Sequence, residues 1–317
     1  MPIQDRALYR LLRKNRLQDP SIVVEPWQVE DLRVLRAEEL FSRLERVHII
    51  LDAERLKLYA EELETPEELI DCLWLGGEQK ERDQTYLILF ELWRRLLPEK
   101  ESLSIFCDRL DQLIEEYDAG NSIEEEDLIE ILKDLEDVLD LFVDEGLAPK
   151  EAFQRVLEYS AHDLEGFLYD YITDEIERKN ELSASHLLDG FYDYMEEKEW
   201  FDFLRARIFY LTNPKEAHFM LRRLFESLVE KKELPLLLEM ASFFVPLEDF
   251  GFFMEITEAS LPLISSEEEF QDFLFILHDY YTCLDKEETA KSVEMIQKEK
   301  GIHKEAVYKI LRRVNSR

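Results

Sequence analysis

Glycine, proline and cysteine are all scarce in this chain: its 317 residues hold 8 Gly, 10 Pro and 3 Cys. So few turn-formers argue against an architecture of many short strands, which needs them at every reversal. Cys72, Cys107 and Cys283 are odd in number and far apart, which excludes a disulfide framework and a zinc-binding spacing. Each lies in an apolar helical run, and the expectation is three buried, unreactive thiols. Long apolar runs are missing too. The most apolar one, Leu234 to Leu247, is broken by Glu239 and is too short to cross a bilayer. No secretory pattern follows the basic start, so the reading is a cytoplasmic protein without a membrane span. There is no Gly-x-Ser-x-Gly elbow and no glycine loop for a phosphate, and no cofactor is expected.

Basic residues are outnumbered, 39 Lys and Arg against 73 Asp and Glu, for a net charge of −34. The imbalance is uneven. Residues 1–16 hold Arg6, Arg10, Arg13, Lys14 and Arg16 against Asp5, and residues 298–317 hold seven bases against two acids, so the 281 residues between carry −43. Such a body repels nucleic acid and anionic membrane and attracts cations and basic proteins. The basic ends have three readings. They fold back on the acidic body, which is the expectation; they are plain helix ends suited to the dipole; or the C-terminal one binds acidic lipid or nucleic acid.

What is abundant is helix-forming sequence. The 46% apolar fraction and 37 aromatic rings exclude a disordered chain. Thr65-Pro66-Glu67-Glu68 and Asn213-Pro214-Lys215-Glu216 read as capped helix starts, as do Ser122 with Glu125, Ser266 with Glu269, and Asp285 with Glu288. Apolar residues then recur in steps of three and four. The stripes are Leu103, Phe106, Leu110, Leu113, Ile114, Tyr117; Leu128, Ile131, Leu132, Leu135, Leu139, Phe142; and Ala217, Met220, Leu221, Leu224, Phe225, Leu228. Seventeen helices follow from such patterns, one of them a long helix over 27–47. Short connections make neighbours antiparallel, so the predicted fold is all-α, stacked antiparallel helical hairpins in a solenoid-like array or two bundles. Hairpin starts near 184, 214, 247 and 286 are spaced by roughly 30–40 residues, the period of helix-pair repeats, though no repeat consensus recurs. Gly146 followed by Pro149 suggests a boundary between an acidic bundle, 1–146, and an aromatic-rich hairpin array, 147–317.

Three groups of residues are candidates for function. From Asp108 to Glu145 the chain has sixteen acids and two bases, and Glu124, Glu125, Glu126 and Asp127 open a helix there. These acids serve helix initiation and solvation, or a docking face for a basic partner. Aromatic clusters that include Trp200 and Phe201, then Phe243, Phe244, Phe250, Phe252 and Phe253, fill a core or line a groove. Metal chemistry needs imidazoles and carboxylates that converge from several helices. Weak candidates are Glu45 with His48, and Glu158, His162 and Glu165 on one helical face. The resulting expectation is a non-enzymatic adaptor, scaffold or chaperone-like module that binds a basic or amphipathic partner protein through an acidic, aromatic-lined surface. The alternatives are a metal-dependent enzyme in an all-α bundle and an acidic nucleic-acid mimic that occupies a DNA-binding protein.

Overall fold

The computed structural model describes residues 5–120, 125–247 and 249–315, the side chains of 5, 125 and 313–315 excepted. Among them are seventeen α-helices and no strand, packed in hairpin-like pairs as the periodicity predicts. They form two compact units: Met1–Tyr171 with Asp189–Glu196, and Ile172–Leu188 with Glu197–Arg317. Position 146, the expected boundary, falls within the first unit. Gly146 ends α7 (Glu125–Asp144), with its N–H on the Val143 carbonyl at 2.9 Å and Leu147 N–H on that of Phe142 at 3.0 Å. The helix that follows, α8 (Pro149–Leu157), folds back on α7 inside the first unit.

The first unit is built around α5 (Gln79–Leu96), whose nine residues Thr85 to Trp93 are all buried. A helix buried on every side needs partners all round. Here α2 (Ala37–Arg46) brings Leu40 and Leu44, α3 (Ala53–Ala60) brings Leu56, and α4 (Pro66–Leu73) brings Leu69 and Ile70. The Thr65 hydroxyl caps α4 by accepting from Glu68 N–H at 3.1 Å. Before these come α1 (Asp5–Gln18) and two 3-10 turns, Pro26–Val29 and Leu32–Val34. After them come α6 (Leu103–Asp118), α7, α8 and the start of α9 (Leu164–Glu177). The end of α10 (Glu181–Phe191) also belongs here.

The helix predicted over 27–47 is absent over its first ten residues, and Arg95 supplies the reason. Its guanidinium donates to the carbonyls of Leu35 (2.7 Å), Leu32 (2.8 Å) and Arg33 (3.0 Å). Held by Arg95 at three carbonyls, the segment is pinned as short turns, and α2 starts only at Ala37.

The second unit holds α11 (Lys198–Thr212), α12 (Pro214–Lys231), α13 (Leu234–Phe244), α14 (Phe250–Ser260), α15 (Glu267–Cys283), α16 (Glu287–Gln297) and α17 (Lys304–Asn315). Successive pairs from α11 to α16 pack as hairpins. Aromatic rings knit their core: Tyr280 stacks on Phe253 with centroids 3.5 Å apart, and Phe252 meets Phe244 at 5.0 Å. The Ser266–Glu269 capping box of α15 is present. The one expected at Asp285 is not. Asp285 instead ends α15 in the left-handed conformation (φ 54°), with its N–H on the Thr282 carbonyl and Lys286 N–H on that of Tyr281. Ser122 lies outside the described residues.

With glycine scarce, three further helix ends use side-chain-bearing residues in the left-handed region: His48, Lys179 and Lys232. That conformation costs a non-glycine residue roughly 1–2 kcal/mol, partly offset by the extra freedom glycine has when unfolded. Lys232→Gly is thus expected to stabilise the chain by about 0.5–1 kcal/mol in urea unfolding. Glu230→Gly, two residues back inside α12, is expected to cost about 1 kcal/mol. Equal losses at both positions would contradict the reading of these helix ends.

Candidate functional site

The densest polar chemistry lies on α6, where Ser104, Asp108 and Asp111 are buried at 3%, 1% and 1% exposure. Positions 104, 108, 111 and 115 recur at helical spacing and so form a polar stripe beside the apolar one. Opposite it, α1 places Arg6 and Arg10 one turn apart. Arg6 Nε donates to Asp108 Oδ1 at 2.8 Å, and Arg10 Nη1 reaches the same oxygen and the Asp108 carbonyl, both at 2.9 Å. Arg10 also grips Glu115 through both oxygens, at 3.0 and 2.7 Å. From the 3-10 turn, Arg33 completes the cluster with bonds to Asp108 Oδ2 and the Gln112 amide oxygen. The expected fold-back of the basic N-terminal segment on the acidic body is what these pairs form.

Burial is the largest single influence on the Asp108 carboxyl and would raise its pKa. The guanidinium groups of Arg6, Arg33 and Arg10 together outweigh it and hold the group well below the usual carboxylate range. Glu91, equally buried, is clasped by Arg94 at 2.7 Å and by Arg95.

A second carboxylate on α6 faces another way. Asp111 accepts from the Ser160 hydroxyl (2.8 Å), from Ala161 N–H (2.9 Å) and faces His162 Nδ1 at 3.0 Å, so it fastens the loop before α9. His162 is thus held in place by Asp111. Glu158 turns to Arg155 at 3.5 Å, and Glu165 accepts from Glu196 N–H at 3.0 Å. Glu45 and His48 are both exposed, and His48 is the left-handed cap of α2, its N–H on the Glu45 carbonyl. Among the described residues no group of three or more His, Cys, Asp or Glu is placed to hold a metal.

Two cysteines are also corrected. Cys107 is buried, and burial pushes its thiol well up, but Cys72 and Cys283 are exposed. Each stands two residues beyond a buried side chain, Ile70 or Tyr281, and so about 200° round the helix from it.

The aromatic candidates divide. Phe201, Phe244, Phe252 and Phe253 are at most 2% exposed and belong to the core, one of the two roles expected for them. Trp200, Phe243 and Phe250 are half-buried and pack on the same core; Phe243 meets Phe203 and Tyr210, and Phe250 lies against Tyr280. The rings that do reach solvent are Phe209, Phe219 and Phe275, on three different helices.

The acidic candidates are at the surface where they can be seen. Glu124 and the Glu125 side chain lie outside the described residues; Glu126 and Asp127 are exposed. The inner face of α7 buries Leu128, Ile131, Leu132, Leu135 and Leu139, nearly the whole predicted stripe. The outer face carries Glu126, Glu130, Lys133, Asp137, Asp140 and Asp144 in steps of four and three. Glu126, Glu130, Asp137 and Asp144 have no ion pair among the described residues. Ile129 and Leu141 are exposed beside them, at 43% and 55%. No helix of the described residues is long and apolar enough to cross a membrane.

Comparison with known proteins finds no matching family, curated protein or solved structure.

The Asp108 cluster makes a testable claim about acid. A carboxyl whose pKa is lower folded than unfolded stabilises fully above its unfolded value, near 4, and loses that stabilisation as pH falls further. Asp108→Asn is expected to cost about 3–5 kcal/mol at neutral pH, because three guanidinium groups lose their shared anion. The gap to the parent should narrow below about pH 4 in urea unfolding followed against pH. A gap independent of pH would remove Asp108 as the acid-sensitive group.

Proposed function

We propose that this chain is a non-enzymatic interaction protein, an adaptor or chaperone-like module of the cytoplasm, that offers the outer face of α7 to a basic, amphipathic segment of another protein. The observation that carries this reading is the composition of that face. Four carboxylates without an ion pair among the described residues stand in line over about five helical turns, with Ile129 and Leu141 exposed alongside.

The physics is that of steered association. A field of net −34 draws a cationic segment in, the aligned carboxylates orient it, and the two exposed aliphatic side chains give its apolar face something to cover. Exposed ion pairs are weak individually, typically below about 1 kcal/mol. The interaction is therefore fast and salt-sensitive, and its lifetime depends on apolar contact. Because the buried rings of the second unit serve its core, the aromatic groove of the sequence reading has no part in this proposal.

The test uses a helical peptide of alternating Lys and Leu faces as probe. Its association rate with the full chain, by stopped flow, is expected to fall by an order of magnitude or more between about 20 and 300 mM salt. Charge reversal on α7 (Glu130→Lys, Asp137→Lys, Asp144→Lys) should slow association at low salt much more than reversal of Glu268, Glu287 and Glu288 in the second unit. Equal slowing by the two triple variants would mean that only net charge matters and that α7 is no docking face.

A further inference from the structure

The Asp108 cluster forms one wall of a cleft of about 380 Å³ in the first unit, between α1, the 3-10 turns, α5 and α6. Its size is within the usual range for small-molecule sites, roughly 300–1,000 Å³. Leu17 gives it exposed apolar surface above the buried Leu87 and Phe90, while Arg6, Lys14 and Arg33 bring positive charge.

What distinguishes the cleft is the state of its donors and acceptors. Its carboxylates are already engaged. Glu30 is held by Arg43 at 2.8 Å, Asp31 by Arg13 at 3.0 Å, Glu91 by Arg94 and Arg95, Glu115 by Arg10, and Glu116 accepts from the Gln112 amide at 2.8 Å. Donors are left over. The Lys14 ammonium has no ion pair or hydrogen bond among the described residues, and Arg33 Nε is buried without a partner. Three guanidinium groups, those of Arg6, Arg10 and Arg33, share two carboxylates, Asp108 and Glu115, which leaves one positive charge over. Burial lowers the Arg33 pKa; Asp108 opposes that, and the neighbouring charges of Arg10 and Arg6 add to it. A buried donor without an acceptor costs about 1–3 kcal/mol, and an anion brought to it would recover that loss. In a chain with nearly two acids per base, a concavity with surplus donors runs against the composition around it.

We propose that this cleft is a binding site for a small organic oxyanion that carries an apolar group. Lys14 and Arg33 take the oxyanion through charge-assisted hydrogen bonds, and Leu17 covers the apolar group. The site is separate from the outer face of α7 and does not depend on the function proposed for that face.

Phenyl phosphate is the probe, titrated calorimetrically into the full chain, with inorganic phosphate and phenol titrated separately. The expected result is one saturable site with a dissociation constant below about 1 mM. Inorganic phosphate and phenol should each bind at least about tenfold more weakly, since each makes half of the contacts. Lys14→Ala is expected to weaken phenyl phosphate at least about tenfold, with the urea midpoint little changed, because Lys14 makes no hydrogen bond or ion pair among the described residues. Lys14→Arg should largely keep the affinity. Absence of saturable binding up to about 10 mM, or equal affinity in the parent and Lys14→Ala, would overturn the site. Inorganic phosphate that binds as tightly as phenyl phosphate would overturn the apolar half of the proposal.

Discussion

A carboxylate placed in the middle of a packed helix must meet cations or it cannot stay charged. Asp108 meets three, drawn from two separate segments, and that requirement ties α1 and the second 3-10 turn to α6. Such a cluster adds little net stability over an apolar packing of the same volume, because each charge has lost its water. What it adds is definition. Arg6 and Arg10 fix the register of α1 against α6, and Arg33 fixes where the 3-10 turn lies. An apolar seam would tolerate sliding by a turn; a carboxyl with two oxygens and three directed donors does not.

The same economy of cations governs the surface. With 39 bases for 73 acids, arginines concentrated on buried carboxylates are arginines withheld from the outside. Arg94 and Arg95 serve Glu91, and Arg10 serves Asp108 and Glu115, so the outer face of α7 has only Lys133 along its acidic line. The acidic exterior and the paired interior are thus two sides of one distribution. In the second unit cohesion comes from stacked and edge-on rings, and charge has a smaller part: Tyr280 on Phe253, and Arg222 over Phe252 at 4.3 Å.

The helices were legible in the sequence because their signals are local. The stripe from Leu128 to Leu139 is buried as its spacing predicts, and Thr65 and Ser266 cap as their neighbours suggest. What was not legible depends on distant partners. Nothing near Leu32, Arg33 and Leu35 reveals that Arg95 takes their carbonyls. Asp285 reads as a helix start by composition, but the end of α15 claims it first. Cys72 and Cys283 sit next to apolar residues in sequence and off the apolar face in space. The Asp108 cluster did leave a signal. Ser104, Asp108, Asp111 and Glu115 keep helical spacing within an acidic run, and Arg6, Arg10 and Arg13 keep it within a basic one. Matching those two stripes would have found the cluster, whereas a tally of acids takes Asp108 for one more solvated side chain.

The bonds that settle α1 span great lengths of chain: Arg6 to Asp108 bridges 102 residues and Arg10 to Glu115 bridges 105. On the ribosome, then, Arg6 and Arg10 of α1 have no counter-anion until α6 has left the exit tunnel. Until that moment only nearer contacts hold α1, Arg13 with Asp31 and Tyr9 with Asp83. This helix is made long before the carboxylates that anchor it.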